Sequence, residues 1–223
     1  MFVVSLGDGT NVYRSTIRSK KGDKMQRESD SQVVLRAIRD RQSARAFLDT
    51  PVSMSTVRRI IDAGRLAASG ANRQPWHFVV IDDPEVKHNL RSVCEEAEAR
   101  YYENADEELQ TWFAAHSITP SKPFLEQAPV LIAVFFDPHA PYAIPSVWIA
   151  IAHMLLQSTR EGLYSLPYTP SGAELGPPLG VPLKYRVAAV LPIGHAECPP
   201  RQPRSPLSQI ASRNEFGVPF EAE

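Results

Sequence analysis

Residues 69–81, Ser-Gly-Ala-Asn-Arg-Gln-Pro-Trp-His-Phe-Val-Val-Ile, join a loop of small and polar side chains directly to an apolar run. The run Trp76–Ile81 predicts a buried strand, because aromatic and β-branched residues that follow turn signals favour extended chain. The loop before it lets a flat ring approach the backbone closely, while its amides and Asn72 can donate hydrogen bonds. An ordinary turn after a helix is the alternative interpretation of the same loop.

Helical periodicity flanks this segment on both sides. Residues 31–41 and 55–68 repeat apolar positions every three or four residues, which predicts two helices that each have one apolar face. The predicted apolar face of the second helix comprises Val57, Ile60, Ile61 and Leu66. Asp83 is predicted to cap a third helix, from Pro84 to about Asn104, with proline at its first position. The acidic stretch from there to His116 is less regular.

The second half of the chain differs in composition from the first, because 17 of the 20 prolines in the whole chain follow residue 119. Proline interrupts helices and strand ladders, so this half is predicted to contain strands, turns and extended chain. Val130–Phe136 is too continuously apolar to have a solvent face. Residues 146–160 predict a helix that is apolar nearly all round, buried at the domain centre or in a subunit interface. Short strands at 163–166 and 186–193 complete a predicted α+β fold.

The 223 residues suffice for one domain with appended arms. Residues 1–30 are basic and lack a sustained period, which predicts a flexible N-terminal lead-in with Met25 as an alternative start to Met1. Residues 31–195 form the predicted domain. Residues 196–223 are rich in proline, arginine and serine and predict an extended C-terminal arm.

Composition excludes several classes of function. A net charge of −1 gives no electrostatic reason to bind nucleic acid or an anionic membrane. The two cysteines and six histidines lack metal-ligand spacing, so neither a disulfide framework nor a metal site is predicted. The longest apolar run is far shorter than the ~20 residues that span a bilayer. We therefore expect a cytoplasmic protein that binds neither membrane nor nucleic acid.

Arginines provide the first chemical signal. The segment Arg41-Gln42-Ser43-Ala44-Arg45 places two guanidiniums and a hydroxyl just beyond a helix end, which suits a phosphate group. Arg204 offers a third guanidinium from the far end of the chain. Each arginine taken singly has the alternative of an ordinary surface residue. The common motifs of nucleophilic, metal and nucleotide chemistry are missing, so an enzyme with this sequence would depend on a cofactor.

Together, four segments resemble the FMN-dependent nitroreductase superfamily over about residues 31–212. They are the R-x-S-x-R segment at 41–45, S-G-x-N-x-Q-P-W at 69–76, Glu161-Gly162-Leu163, and 191–195 followed by Arg204-Ser205-Pro206-Leu207. The resemblance implies a homodimer with a central, mostly antiparallel sheet surrounded by helices and FMN at the dimer interface. It also implies which residues bind FMN: Arg41, Gln42, Ser43, Arg45 and Arg204 at the phosphate and ribitol, Ala68 and Ser69 at the flavin ring.

A narrower resemblance links residues 83–129 to the iodotyrosine deiodinase branch, where a lid grips the amino-acid end of a halotyrosine. By position the lid is about 95–125, with Glu98, Tyr102 and Lys122 as substrate-binding residues and the Ala71 amide facing the phenolate. The spacing of Glu98 and Tyr102 also brings them to one helix face. The alternative is a solvated glutamate and a tyrosine that only packs.

Thr169 is implied to be the catalytic residue, since the deiodinases have a threonine hydroxyl at flavin N5 that favours one-electron chemistry. Its alternative role is to satisfy the turn before Pro170.

Three positions depart from the deiodinase pattern. Gln42 stands in place of a second consecutive arginine, Ala68 in place of a proline, and Pro167 in place of another threonine.

The function implied by the resemblance is reductive dehalogenation of a halotyrosine or halophenol, with FMN as cofactor. NAD(P)H would be the reductant, acting directly or through a separate flavin or ferredoxin reductase. Two alternatives stay open: an NAD(P)H-dependent nitroreductase or quinone reductase that acts on nitroaromatics, and a flavin-binding protein without turnover.

Overall fold

The computed structural model describes residues 34–197 and 201–220. The chain divides into two units, residues 1–39 and 40–223, and every strand of the described residues lies in the second. The predicted lead-in, residues 1–30, lies outside the described residues. The first predicted helix is shorter than expected, since helix α1 spans only Arg36–Asp40.

The remaining elements follow in chain order. They are α2 (Met54–Arg65), β1 (Trp76–Ile81), α3 (Pro84–Glu103), α4 (Glu107–Ala115), α5 (Phe124–Gln127), β2 (Val130–Phe136), α6 (Ala143–Arg160), β3 (Tyr164–Ser165), β4 (Arg186–Gly194) and α7 (Leu207–Ile210). Single turns of 3₁₀ helix occur at Gly70–Asn72 and Pro177–Leu179.

The four strands form one sheet in the order β1-β2-β4-β3, and all neighbouring strands are antiparallel. The predicted mostly antiparallel α+β sheet is therefore confirmed. The bounds of β1 agree with the prediction, but its burial does not. As an edge strand, β1 leaves His77 exposed and Phe78 half-buried, whereas Ile81 is buried at its end.

Strand β2 is the centre of the fold, because all seven of its residues are buried. Alternate side chains of a strand point to opposite faces, so β2 supplies both cores. Leu131, Ala133 and Phe135 pack in the cluster that includes Leu90 and Cys94 of α3. The other four residues pack with α2 and α6, through Val57, Ile60, Val147, Ile151 and Met154. The result is a sheet covered by α3 on one face and by α2 and α6 on the other.

Helix α3 begins as the sequence predicts. The Asp83 carboxylate accepts hydrogen bonds from the amides of Glu85 at 2.9 Å and Val86 at 3.0 Å, and Pro84 occupies the first turn. The stretch after α3 was predicted to be irregular, which is wrong for α4. Asp106 caps α4 through the Leu109 amide at 2.8 Å, so a local cap starts a helix that is too short to show a clear period.

Two further helices differ from prediction at their ends. Helix α2 stops at Arg65, and Leu66, assigned to its apolar face, is 70% exposed. Helix α6 starts three residues earlier than predicted and ends, as predicted, before Gly162, whose φ is +75°. Ile144, Trp148 and Ile149 of α6 are exposed on the single chain, although the opposite face is buried.

Gly194 provides a test of the packing at the end of β4. A Cβ added there would lie 2.7 Å from Pro129 Cδ and 3.0 Å from Phe47 Cδ1. We expect Gly194→Ala to lower the free energy of unfolding by about 1–3 kcal/mol, because the rigid rings must shift. Gly176→Ala is the matched control, since its Cβ would meet only ordinary contacts at 3.6 Å or more. Equal unfolding midpoints for the two variants in guanidinium would contradict this packing.

Candidate active site

Two of the predicted phosphate-binding arginines, Arg41 and Arg204, lie close together. The pKa of the Arg41 guanidinium is lowered, first by partial burial and then by the positive charge of Arg204. Arg41 Nη1 donates to Ser43 Oγ at 3.4 Å. An ion pair between Arg201 Nη2 and Asp40 Oδ1, at 3.3 Å, ties the nearby C-terminal segment to the end of α1. Arg41, Arg204 and the Ser43 hydroxyl, which we call the phosphate cradle, are groups that could pair with a doubly charged phosphate.

The other residues of the predicted phosphate segment are less enclosed. Gln42 is half-buried, and Arg45 is exposed. The structure therefore brings Arg41, Ser43 and Arg204 together, while Arg45 extends from the same segment into solvent.

The loop at 69–75 has an unusual backbone. Ala71, Asn72 and Gln74 all have positive φ, at 49°, 52° and 46°, a conformation that costs energy for residues with a Cβ. A Cβ at Gly70 would lie 2.7 Å from the Pro141 carbonyl oxygen, so only glycine fits there.

Hydrogen bonds hold this loop in its strained form. Gly70 N donates to Ser146 Oγ at 3.1 Å, and Gln74 N donates to Ser69 Oγ at 3.1 Å. Ala68 and Ala71 are exposed and Ser69 is half-buried. The loop thus presents backbone and small side chains to solvent, and its contact with a flat ring stays a prediction.

Glu98 and Tyr102 of α3 lie close to Lys122. Glu98 Oε2 lies 3.4 Å from Lys122 Nζ, and the two residues are only 3% and 8% exposed. Lys122 Nζ also lies 3.4 Å from the Tyr102 hydroxyl and donates to the Thr119 carbonyl. The pKa of the Tyr102 phenol is raised, first by burial and then by its hydrogen bond to the Glu98 carboxylate. We call these three residues the lid triad.

The lid triad differs in one respect from the sequence expectation. The predicted role requires a free anion and a free cation, but Glu98 and Lys122 neutralise each other. The alternative of a solvated glutamate is wrong, because Glu98 is buried. Tyr102 also packs, with its ring stacked 4.3 Å from that of Phe113 in α4.

Sequence reasoning missed Tyr168 as a member of this cluster. Its hydroxyl donates to Glu98 Oε1 at 3.0 Å, and the Ser171 amide donates to the same oxygen at 3.3 Å. The pKa of the neighbouring Cys94 thiol is raised to about 12, mainly by burial. The available signal was the tyrosine itself, because a buried phenol needs a partner for its hydroxyl.

Thr169, the predicted catalytic residue, follows Tyr168 directly. It is exposed, whereas Tyr168 is 7% exposed. Its side chain is therefore accessible from solvent, at the end of a segment fixed by backbone hydrogen bonds between Tyr168 and Val190 at 2.8 and 3.0 Å.

A network of charges fixes the backbone of Lys122. Glu95 Oε1 accepts from the Lys122 amide at 2.6 Å and from Arg91 Nε at 2.7 Å. Arg91 Nη1 in turn donates to Glu126 Oε2 at 2.8 Å. Burial opposes ionisation of Glu95, but the Lys122 amide and Arg91 outweigh it, and the pKa of Glu95 is lowered. One turn of α3 thus holds the main chain of Lys122, and the next turn holds its ammonium.

Residues 38–195 match the model of the nitroreductase family. The chain belongs to the nitroreductase family. The match covers the arginine segment, the strained loop, the lid triad and Thr169. The family and the nitroreductase-like α+β fold predicted from the sequence are confirmed, and the protein is an oxidoreductase.

The chain is also similar to two iodotyrosine deiodinases and to a solved structure of an iodotyrosine deiodinase. Iodotyrosine deiodinase from Thermotoga neapolitana is 35% identical over 174 residues, 78% of this chain and 92% of that protein. Human iodotyrosine deiodinase 1 is 31% identical over 196 residues, 81% of this chain and 68% of the human protein. A crystal structure of oxidized iodotyrosine deiodinase bound to FMN and 3-iodo-L-tyrosine has a TM-score of 0.69 and 32% identity, covering 84% of this chain and 98% of that one.

Two further observations concern only residues 34–197 and 201–220. None of the helices there has both the length and the apolarity that crossing a membrane requires. In the same ranges, no three His, Cys, Asp or Glu side chains are grouped so that they could hold a metal ion.

Glu95→Ala tests whether this carboxylate positions Lys122. Removing it leaves the Lys122 amide and Arg91 Nε without their acceptor, although Arg91 Nη1 keeps Glu126, so we expect the free energy of unfolding to fall by about 1–3 kcal/mol. Amide hydrogen exchange of residues 121–126 should accelerate at the same time. Glu96→Ala is the control, since Glu96 is the exposed neighbour on α3. Equal exchange of residues 121–126 in the two variants would show that Glu95 does not hold this segment.

Proposed function

We propose that the protein is an FMN-dependent dehalogenase that acts on a halotyrosine or a related halophenol. The observation that carries the proposal is the buried pair of Glu98 and Lys122 at 3.4 Å, with the Tyr102 hydroxyl beside it. Two relatives named iodotyrosine deiodinase support it, as does a similar solved structure of an iodotyrosine deiodinase bound to FMN and 3-iodo-L-tyrosine.

The arrangement of cationic and small residues fits FMN. Arg41, Ser43 and Arg204 would hold the phosphate, because adjacent guanidiniums need an anion to offset their repulsion. The remaining cofactor contacts would come from Gln42 and Arg45 at the phosphate and ribitol, and from Ala68, Ser69 and Thr169 at the ring. Bound FMN would supply the two electrons that, with a proton, replace the carbon–halogen bond by a carbon–hydrogen bond. NAD(P)H would then reduce the flavin again, directly or through a flavin or ferredoxin reductase.

The lid triad would select the amino-acid end of the substrate by exchanging ion pairs. Separating a buried ion pair leaves two uncompensated charges, which costs about 3–5 kcal/mol when one partner is lost. A zwitterion restores both pairs, since its ammonium takes Glu98 and its carboxylate takes Lys122. Tyr102, kept protonated by its raised pKa, would donate a hydrogen bond to the same end. A neutral halophenol offers neither charge, so it would bind without opening the pair.

Two other features of this chain would act at the aromatic end. The exposed Ala71 amide, held in a left-handed turn, would donate to the phenolate oxygen. Closure of the lid, about 95–125, would exclude water from the ring and strengthen these electrostatic contacts.

A homodimer would cover apolar side chains that the single chain exposes. Exposed apolar side chains occur on α6 and in the C-terminal segment: Ile144, Trp148, Ile149, Leu207, Ile210 and Phe216. Several large apolar side chains exposed on one chain favour association with another surface. We propose that a second copy covers these side chains and that the extended arm, 196–223, crosses to it.

Arg41→Ala and Arg204→Ala test the phosphate cradle. Each removes a charge-assisted hydrogen bond to the proposed phosphate, so the dissociation constant of FMN should rise about 10- to 100-fold. The measurement is a titration of FMN fluorescence with apoprotein. Arg58→Ala is the control, because Arg58 is an exposed arginine of α2. If all three variants bind FMN equally well, the phosphate does not lie at this cradle.

Anaerobic single turnover tests the reaction together with the lid. We expect reduced wild-type protein to release one iodide for each 3-iodotyrosine consumed, because two electrons replace one halogen. Glu98→Gln and Lys122→Met should raise the dissociation constant of 3-iodotyrosine at least tenfold and leave that of 2-iodophenol within twofold, since 2-iodophenol carries no charge for either side chain. The controls are Glu96→Gln and Lys184→Met at exposed positions.

Two outcomes would reject the proposal when 3-iodotyrosine and a nitroaromatic are added separately to the reduced protein. Reduction of the nitroaromatic without iodide release from 3-iodotyrosine would support a nitroreductase instead. A reduced flavin that neither compound reoxidises would indicate a flavin-binding protein without turnover.

A further inference from the structure

The two oxygens of the Glu98 carboxylate have different partners. Oε1 accepts from the Tyr168 hydroxyl at 3.0 Å and from the Ser171 amide at 3.3 Å. Oε2 lies 3.4 Å from Lys122 Nζ. One oxygen is therefore bound to the turn after β3, and the other faces the cation of the lid. A carboxylate held by two donors on one oxygen cannot rotate freely, so the direction of Oε2 is fixed.

Tyr168 is itself held rigidly on three sides. Its backbone forms both hydrogen bonds of an antiparallel bridge with Val190 of β4, at 2.8 and 3.0 Å. Its ring packs edge-on against Phe124 of α5, with centroids 5.5 Å apart. Because Phe124 lies two residues after Lys122, the Tyr168 ring contacts the lysine segment while its hydroxyl contacts the glutamate helix.

We propose that Tyr168 is a positioning residue that gives the enzyme its preference for substrates with an amino-acid group. It binds one oxygen of Glu98 to the sheet and leaves the other oxygen for the substrate ammonium. This inference rests on the proposed dehalogenase function and names the residue that sets its specificity.

Loss of the hydroxyl would change the competition for Glu98. Without Tyr168 as a donor, only the Ser171 amide still holds Oε1, so the carboxylate can turn further toward Lys122 and the internal ion pair becomes stronger. A zwitterion must separate that pair, whereas a neutral halophenol does not. Removal of the hydroxyl should therefore weaken binding of 3-iodotyrosine selectively.

The same carboxylate also orders the turn that carries Thr169. Tyr168 and Ser171 lie on either side of Thr169 and Pro170, and both donate to Glu98 Oε1. Loosening this oxygen should free both the turn and the lid. Hydrogen exchange at 168–172 and 98–122 measures this effect without any substrate.

The test is Tyr168→Phe, which keeps the ring against Phe124 and removes only the hydroxyl. Tyr101→Phe is the matched control, since Tyr101 is half-exposed on α3 and no hydrogen bond of its hydroxyl is found among the described residues. Dissociation constants of 3-iodotyrosine and 2-iodophenol are measured by quenching of the oxidised flavin. We expect Tyr168→Phe to raise the constant for 3-iodotyrosine about tenfold and to leave that for 2-iodophenol within twofold.

A double-mutant cycle with Glu98→Gln separates positioning from general packing. If Tyr168 acts through Glu98, Tyr168→Phe causes little further loss of 3-iodotyrosine binding in the Glu98→Gln background. The exchange of 98–122 and 168–172 should rise in Tyr168→Phe and not in Tyr101→Phe.

Each other outcome has a distinct meaning. Equal weakening of both ligands, additive losses in the cycle, or unchanged binding in Tyr168→Phe would overturn the role of Tyr168 and leave the dehalogenase proposal intact. A wild-type protein that does not prefer 3-iodotyrosine to 2-iodophenol would overturn the proposed substrate, and the inference with it.

Discussion

A buried ion pair, Glu98 with Lys122, is the interaction on which the proposed chemistry depends. Two charges that are 3% and 8% exposed are stable only while each has a partner. Three contacts in the fold supply that condition. The Asp83 cap fixes where α3 starts and hence which helix face carries Glu98, Glu95 holds the Lys122 backbone, and Tyr168 contributes a donor from the sheet.

Because these contacts join α3 to the segment after β3, the geometry of the ion pair depends on how the helix packs against the sheet. Helix α3 packs on one face of β2 through Leu90 and Cys94, so the triad is carried by the core and not by a loop alone. The lid segment after α3 adds α4, whose Phe113 stacks on Tyr102. A fold of this family hosts more than one reaction, and the charged lid is what favours a dehalogenase here.

Local signals in the sequence predicted the elements with strong patterns. The strands β1 and β2 and the helix α3 lie where composition and the Asp83–Pro84 cap place them. Strand order is not a local property, so the edge position of β1 was not foreseen. Helix α4 was missed because nine residues give too few turns for a period to emerge.

Local signals in the sequence predicted some residues of the site and missed others, because several of its contacts join residues that are distant in the sequence. Spacing on α3 indicated that Glu98 and Tyr102 share a face, but the resemblance to a known family was needed to connect Lys122 with them. Tyr168 was missed because its partner, Glu98, is far away in the sequence and is reached only through the pairing of Tyr168 with Val190.

Affinities of the FMN-loaded protein for 3-iodotyrosine, 3-iodotyramine and 3-(4-hydroxy-3-iodophenyl)propionate test the ion-pair exchange most directly. The account predicts that both single-charge analogues bind at least tenfold more weakly than 3-iodotyrosine, because each leaves one buried charge unpaired, and equal affinity for either analogue would contradict it.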